Sequence, residues 1–174
     1  MEYVVAFGAN LGDREASYGR AVLALAELVG PALRRSGLFE TAPLMDPDSP
    51  IIDQPNYLNA VLVVESHLDP RAVLHELLRI ELAFGRERAL RWAPRTIDLD
   101  LIAAEGLVIS LPELSLPHPE MHKRLFVLEP MLEVAPSWVH PILGLNVQEL
   151  LNEVRRTESK LSGTAASSPP GASE

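Results

Sequence analysis

Four short β-rich runs, separated by two stretches in helical register, restrict this chain to a small set of folds. "YVVAF" (Tyr3 to Phe7) is a continuous apolar run closed by the turn residues Gly8 and Asn10. From Asp13 to Val29 the period becomes helical: Ala21, Leu25 and Leu28 fall four and three apart, and Gly30-Pro31 ends the run. "LRRSGLFE" (Leu33 to Glu40) reads as a second strand and "NYLNAVLVVES" (Asn56 to Ser66) as a third. Pro70 opens a second helix reaching about Gly85, with Val73, Leu74, Leu77, Leu78 and Ile80 in register. Thr96 to Ala103 reads as a fourth strand, with "EGLVIS" as its hairpin partner. The order β-α-β-β-α-β is the split βαβ arrangement and predicts an α+β fold: an antiparallel sheet carrying two helices on one face. Two more helices, about Lys123 to Val134 and Val147 to Arg155, are available for the other face.

Between the second and third strands, Thr41 to Pro55 holds four prolines and no clear period, so it reads as a loop. A loop that long inside a compact domain is often functional. The segment 159–174 lacks core-forming residues and is expected to be disordered, which leaves residues 1–158 as a single domain.

Composition narrows the function classes. A hydrophobic content of 47% over 174 residues supports a real core. No apolar run approaches a membrane span, the N-terminus lacks the basic and apolar regions of a signal peptide, and there is no cysteine. These features predict a cytoplasmic protein with no membrane partner. A net charge of −9 argues against nucleic-acid binding, which needs a broad cationic face.

Against that acidic background, "RERALRWAPRTIDLDLI" (Arg86 to Ile102) is unusual. Five arginines lie between Arg79 and Arg95 against only Glu81 and Glu87, a local balance of +3. Such an island focuses a polyanion into one place, and the planar guanidinium fork suits bidentate phosphate contacts. Immediately downstream stand Asp98 and Asp100. In a strand, residues two apart point to the same side, so both carboxylates face one way while Ile97, Leu99 and Leu101 face the core. Two like charges that close repel unless a cation neutralises them. Mg²⁺ suits this role, commonly taking one or two carboxylates plus substrate phosphates, and a pair of ions is a frequent clamp in phosphoryl transfer. A D-x-D pair alone is a weak sign, being equally at home on a solvent-facing strand; the arginines beside it supply the second. Pro94 disfavours helix at Ala93, placing Trp92 in an irregular segment where a large ring can act as a lid or as a packing contact. There is no G-x-x-x-x-G-K-[ST] loop, so a bound ATP would be held by arginines and metal ions.

"RWAPRTIDLDLI" resembles the signature of the 6-hydroxymethyl-7,8-dihydropterin pyrophosphokinases of folate biosynthesis. "FGANLGDR", "FETAPL", "DQPNYLNAV", "RIELAFGRER" and "LPHPEMHKRLFVLEPMLEVAP" agree with that family in order and spacing, across roughly residues 3 to 155. The resemblance implies a ferredoxin-like fold and transfer of pyrophosphate from ATP to the pterin hydroxymethyl group, giving AMP and the pterin diphosphate. It implies two Mg²⁺ on Asp98 and Asp100. It places ATP against Glu81, Arg86, Arg88, Arg95, Ser115, His118 and Arg124, with Arg86, Arg88, Trp92 and Arg95 joining the two aspartates in catalysis. It places the pterin between Tyr57 and Phe126, with Asn59, Thr41 and Leu44 at its edge. Flat aromatic substrates suit stacking between rings, and a hydrogen-bonding edge suits an asparagine that offers donor and acceptor. The implied partners are these small molecules alone, with the protein acting as a monomer. Two rival readings are a two-metal phosphohydrolase and a non-enzymatic RNA-binding module; the latter needs a basic face and exposed aromatics, whereas the chain is acidic with 5% aromatic residues.

Overall fold

In the computed structural model, described over residues 1–43, 54–85 and 95–165, an antiparallel sheet is layered between two pairs of helices. The elements in chain order are β1 (Glu2–Ala9), α1 (Arg14–Leu28), β2 (Ala32–Arg35), β3 (Phe39–Thr41), β4 (Tyr57–Glu65), α2 (Pro70–Ala83) and β5 (Asp98–Ala104). They continue with β6 (Ile109–Ser110), β7 (Ser115–Leu116), a 3₁₀ turn (Met121–Lys123), α3 (Leu125–Val134) and α4 (Val147–Ala165). The main sheet runs β2-β4-β1-β5, and β3 pairs with β4 beside β2. β1 pairs antiparallel with both β4 and β5, making it the central strand.

Sequence chemistry sets the helix ends. Asp13 caps α1 by accepting the Ala16 N–H, and Asp69 caps α2 by accepting from Arg71 and Ala72, with Pro70 at the first helical position. α4 opens on a reciprocal box: Asn146 Oδ1 accepts the Glu149 N–H at 3.0 Å, and Glu149 Oε2 accepts the Asn146 N–H at 2.8 Å. After α1, Gly30 has φ +150°, and a side chain there would put Cβ 1.9 Å from the Glu65 carbonyl oxygen. Only glycine lets the helix exit pass so close to β4.

Strand alternation builds two cores. Tyr3, Val5 and Phe7 of β1, Leu62 of β4, and Leu99 and Leu101 of β5 pack with Leu25 of α1 and Val73, Leu77 and Ile80 of α2. Val4 and Ala6, Val61 and Val63, and Ile102 take the opposite side, packing with Leu128 and Met131 of α3 and Leu150 and Leu151 of α4. Each large apolar side chain buried this way stabilises by about 1.5–3 kcal/mol over exposure. Among the described residues, no helix is long and apolar enough to cross a membrane.

Three expectations are corrected. The strand expected over Leu33 to Glu40 is split into β2 and β3. Ser36 interrupts it, with its N–H donating to the Val61 carbonyl and its hydroxyl accepting the Val61 N–H, while Gly37 N–H donates to Glu133 Oε2 at 2.7 Å. "EGLVIS" does not pair with β5: β6 pairs with β7, and the chain after β7 takes β5's edge instead, His118 N–H donating to the Ile102 carbonyl at 2.7 Å. Finally, α4 runs to Ala165, past the expected end at Arg155; hydroxyls of Thr157 and Ser159 bond back to the Glu153 and Arg155 carbonyls. The rest of the tail, 166–174, lies outside the described residues, as does most of the expected Thr41–Pro55 loop.

Candidate active site

The register puts the expected site residues in rows across the sheet. Gly8 of β1 lies opposite Asn59 of β4 on one side and Asp98 of β5 on the other, and Ala6 lies opposite Asp100. These residues share the sheet face that α3 and α4 cover further along. Where that cover stops, the face opens into a cleft of about 280 Å³. Asp98 and Asp100 both line it, while Leu99 and Leu101 between them are buried on the α1–α2 side, as the alternation predicts. Gly8 is its floor: an added Cβ would lie 3.4 Å from Asn59 Oδ1, 3.7 Å from the Tyr57 ring and 3.9 Å from Asp98 Cβ.

Cations face both carboxylates. Arg95 Nη1 donates to Asp98 Oδ1 at 2.8 Å, and Arg124 Nη1 stands 3.9 Å from Asp100 Oδ2. Burial works against the Arg95 charge, but Asp98 outweighs it by charge and hydrogen bond, so the guanidinium pKa rises above its ordinary value. Arg124 is also the N-cap of α3, and its guanidinium carbon sits 5.7 Å from the Phe126 ring centroid. The N-terminus of α3 lies at the cleft, since Arg124 and Phe126 both line it.

His118 lines the same cleft. Burial first, then the Arg124 charge, push its pKa down, which keeps the imidazole neutral near pH 7. Its Nδ1 accepts the Glu120 N–H at 3.2 Å, leaving Nε2 to carry the proton.

The rest of the lining is aromatic and amide. Tyr57, Phe126 and Asn59 line the cleft together with Thr41. Asn59, only 5% exposed, donates from Nδ2 to Thr41 Oγ1 at 2.7 Å, which orients its amide. Burial raises the Tyr57 pKa, so its hydroxyl stays protonated at neutral pH.

The structure thus brings together Thr41, Tyr57, Asn59, Arg95, Asp98, Asp100, His118, Arg124 and Phe126. Two expected nucleotide contacts are not among the lining residues. Glu81 of α2 is 1% exposed, and its Oε1 accepts the Leu99 N–H at 2.7 Å, so its carboxylate braces the back of β5. Ser115 lies in β7, paired with Ser110. Leu44, Arg86, Arg88 and Trp92 lie outside the described residues. Sequence reading missed Gln54, which lines the cleft, and Asn10, which holds it. "DQPNYLNAV" contains the first and "FGANLGDR" the second, but Gln54 reads as part of a long loop and Asn10 as a turn residue.

Two arginine-faced carboxylates, a histidine and an aromatic and amide lining thus share one cleft on an antiparallel sheet. The sequence matches the family described as 7,8-dihydro-6-hydroxymethylpterin-pyrophosphokinase (HPPK) over residues 4–136. It is 41% identical over 145 residues to the 2-amino-4-hydroxy-6-hydroxymethyldihydropteridine pyrophosphokinase of Methylorubrum extorquens, covering 83% of this chain and 87% of that one. The protein of the same name from Synechocystis sp. is 36% identical over 151 residues, covering 87% of this chain and 75% of that one. The fold is shared with crystallised Plasmodium falciparum HPPK-DHPS at TM-score 0.71 and 18% identity; the match covers 92% of this chain and 44% of that longer one. The chain belongs to the HPPK family, and it is an enzyme of the ATP-dependent transferase class.

Proposed function

We propose that the protein transfers pyrophosphate from ATP to the hydroxymethyl group of 6-hydroxymethyl-7,8-dihydropterin, releasing AMP and the pterin diphosphate. The observation that carries this reading is the pairing, within one cleft, of two arginine-faced carboxylates with an aromatic and amide wall. The hydroxymethyl oxygen bonds to the β-phosphorus, the bond from that phosphorus to the bridging oxygen of the α-phosphate breaks, and AMP leaves. The hydroxyl proton passes to solvent.

The residues present fit Mg²⁺. Asp98 and Asp100 offer hard oxygen donors on one strand face, with side-chain exposures of 25% and 41%. No third metal-ligating side chain joins them among the described residues, so phosphate oxygens and water would complete the shell, as Mg²⁺ prefers. When bound, a pair of these ions would neutralise the polyphosphate on both sides of the reacting phosphorus. Arg95 and Arg124 add positive charge beside the carboxylates, and neutral His118 offers a donor to a phosphate oxygen. Arg86, Arg88 and Trp92 belong to the proposal through the family resemblance. Tyr57 and Phe126 sandwich the pterin, and Asn59, held by Thr41, reads its edge together with Leu44. Catalysis is then mostly positioning and charge stabilisation, as phosphoryl transfer requires.

The sheet belongs to the ferredoxin-like class in this reading, supported by its order β2-β4-β1-β5 with α1 and α2 on one face. A monomeric, cytoplasmic enzyme completes the proposal. The test is AMP release from Mg-ATP with and without 6-hydroxymethyl-7,8-dihydropterin. Release that depends on the pterin is expected; equal release without it would make the protein a hydrolase.

A further inference from the structure

β1 ends at Ala9, between two antiparallel neighbours that both begin nearby, β4 at Tyr57 and β5 at Asp98. The ladder bonds run out where the two lead-in segments enter the sheet. Asn10, 2% exposed, occupies that wedge. Toward β5, its Oδ1 accepts the Arg95 N–H at 2.8 Å, and its own N–H donates to the Arg95 carbonyl at 3.1 Å. Toward β4, its Nδ2 donates to Gln54 Oε1 at 3.1 Å and to the Pro55 carbonyl at 3.2 Å. A primary amide offers the acceptor and donors of a peptide unit. Here it extends the sheet by one step on each side.

The joined segments carry different parts of the cleft lining. Arg95 donates to Asp98 of β5, whereas Gln54 lines the cleft from the segment that leads into Tyr57 and Asn59 of β4. Asn10 itself does not line the cleft.

We propose that Asn10 is a positioning residue for the transfer: its side chain sets the spacing between the Arg95–Asp98 wall and the Gln54–Tyr57 wall without touching either substrate. The proposal rests on the pyrophosphokinase reading above. Reacting groups held about 1 Å out of place can cost on the order of 100-fold in rate, so a spacer between two substrate subsites acts on kcat and not on stability alone. Aspartate at this position keeps the acceptor for the Arg95 N–H but has no donor for the Pro55 carbonyl; alanine has neither.

The experiment compares Asn10→Ala and Asn10→Asp with Ser66→Ala. Ser66 is a stability control, 3% exposed just past the far end of β4, with its hydroxyl donating to the Val29 carbonyl at 2.6 Å. Asn10→Ala is expected to lower kcat roughly 100-fold, while Ser66→Ala changes it by less than about twofold at a comparable loss in Tm. Asn10→Asp is expected to raise KM for 6-hydroxymethyl-7,8-dihydropterin about tenfold, the effect of one charged or buried hydrogen bond lost, and to leave KM for Mg-ATP unchanged. Asn10→Ala kinetics that match Ser66→Ala would overturn the proposal, as would an Asn10→Asp that raises both KM values equally. Should neither Asn10 variant fold, hydrogen exchange on the unaltered protein carries the test. Protection of the Arg95 amide is expected, and exchange at the unprotected rate would overturn it. Pterin-independent AMP release by the unaltered protein would instead remove the functional reading while leaving that protection intact.

Discussion

Replacing Asp98 by Asn separates catalysis from stability. The side chain keeps its shape and an oxygen toward Arg95, but it loses the charge that would hold a metal ion and balance the guanidinium. Asp98 and Arg95 retain 25% and 23% side-chain exposure, so water partly screens their 2.8 Å pair, and it contributes about 1 kcal/mol to folding. For a domain of this size that corresponds to roughly 2–4 °C in Tm. Loss of one group that stabilises charge in a transition state costs on the order of 10²–10³ in kcat. Asp98→Asn should therefore melt within a few degrees of the parent, by about the amount above, and still lose at least about 100-fold in AMP formation at saturating ATP and pterin. Asp100→Asn should do the same, with a smaller change in Tm, because its arginine stands 3.9 Å away and its side chain is 41% exposed. The assay is pterin-dependent AMP release, paired with a thermal melt of each variant. Activity within about threefold of the parent in either variant, well short of the loss expected for a charge-stabilising group, would refute the carboxylate role.

Glu81→Ala should strip the buried Leu99 N–H of its acceptor and cost about 1–3 kcal/mol in urea unfolding, with nucleotide affinity retained in the folded fraction; specific loss of nucleotide binding at unchanged stability would return Glu81 to the ligand side. Phe126→Ala and Tyr57→Ala should each raise KM for the pterin by roughly 2- to 10-fold or more, the range of an aromatic pair, whereas Tyr57→Phe should stay near the parent. His140 is 5% exposed, and its Nδ1 accepts the Ile142 and Leu143 N–H groups at 3.3 Å each; burial first, then the His122 charge, lower its pKa. The native state then binds fewer protons than the unfolded chain between that lowered value and about 6.5. Stability from this group is fully present above about 6.5 and is lost as pH falls through the native pKa. NMR titration of His140 should give a midpoint below that ordinary histidine value, and a midpoint above it would refute the sign.

The fold was legible where period and chemistry agree. Strand alternation at Ile97 to Leu101 was enough to put Asp98 and Asp100 on one face and Leu99 and Leu101 on the other, because the period of two is a property of the strand backbone. The helix starts near Asp13 and at Pro70 were readable as well, because the residues that open a helix are local. What escaped depends on partners distant in sequence. Ser36 breaks its strand through bonds to Val61, and Glu81 braces β5 from α2. Asn10 bonds to Arg95, 85 positions away, and to Gln54, 44 positions away, so nothing near it in the chain marks it as more than a turn residue. The partner of "EGLVIS" was misassigned for a related reason: the segment after β7 competes for the same strand edge, and a hairpin pattern alone does not reveal the competitor.

The central claim is that one carboxylate pair on β5 holds the metal that meets the nucleotide. Anomalous scattering from Mn²⁺ in crystals grown with a non-hydrolysable ATP analogue and the pterin tests it most directly. The account predicts peaks bonded to Oδ atoms of both Asp98 and Asp100 and to phosphate oxygens. A nucleotide bound with its metal away from both aspartates would contradict it.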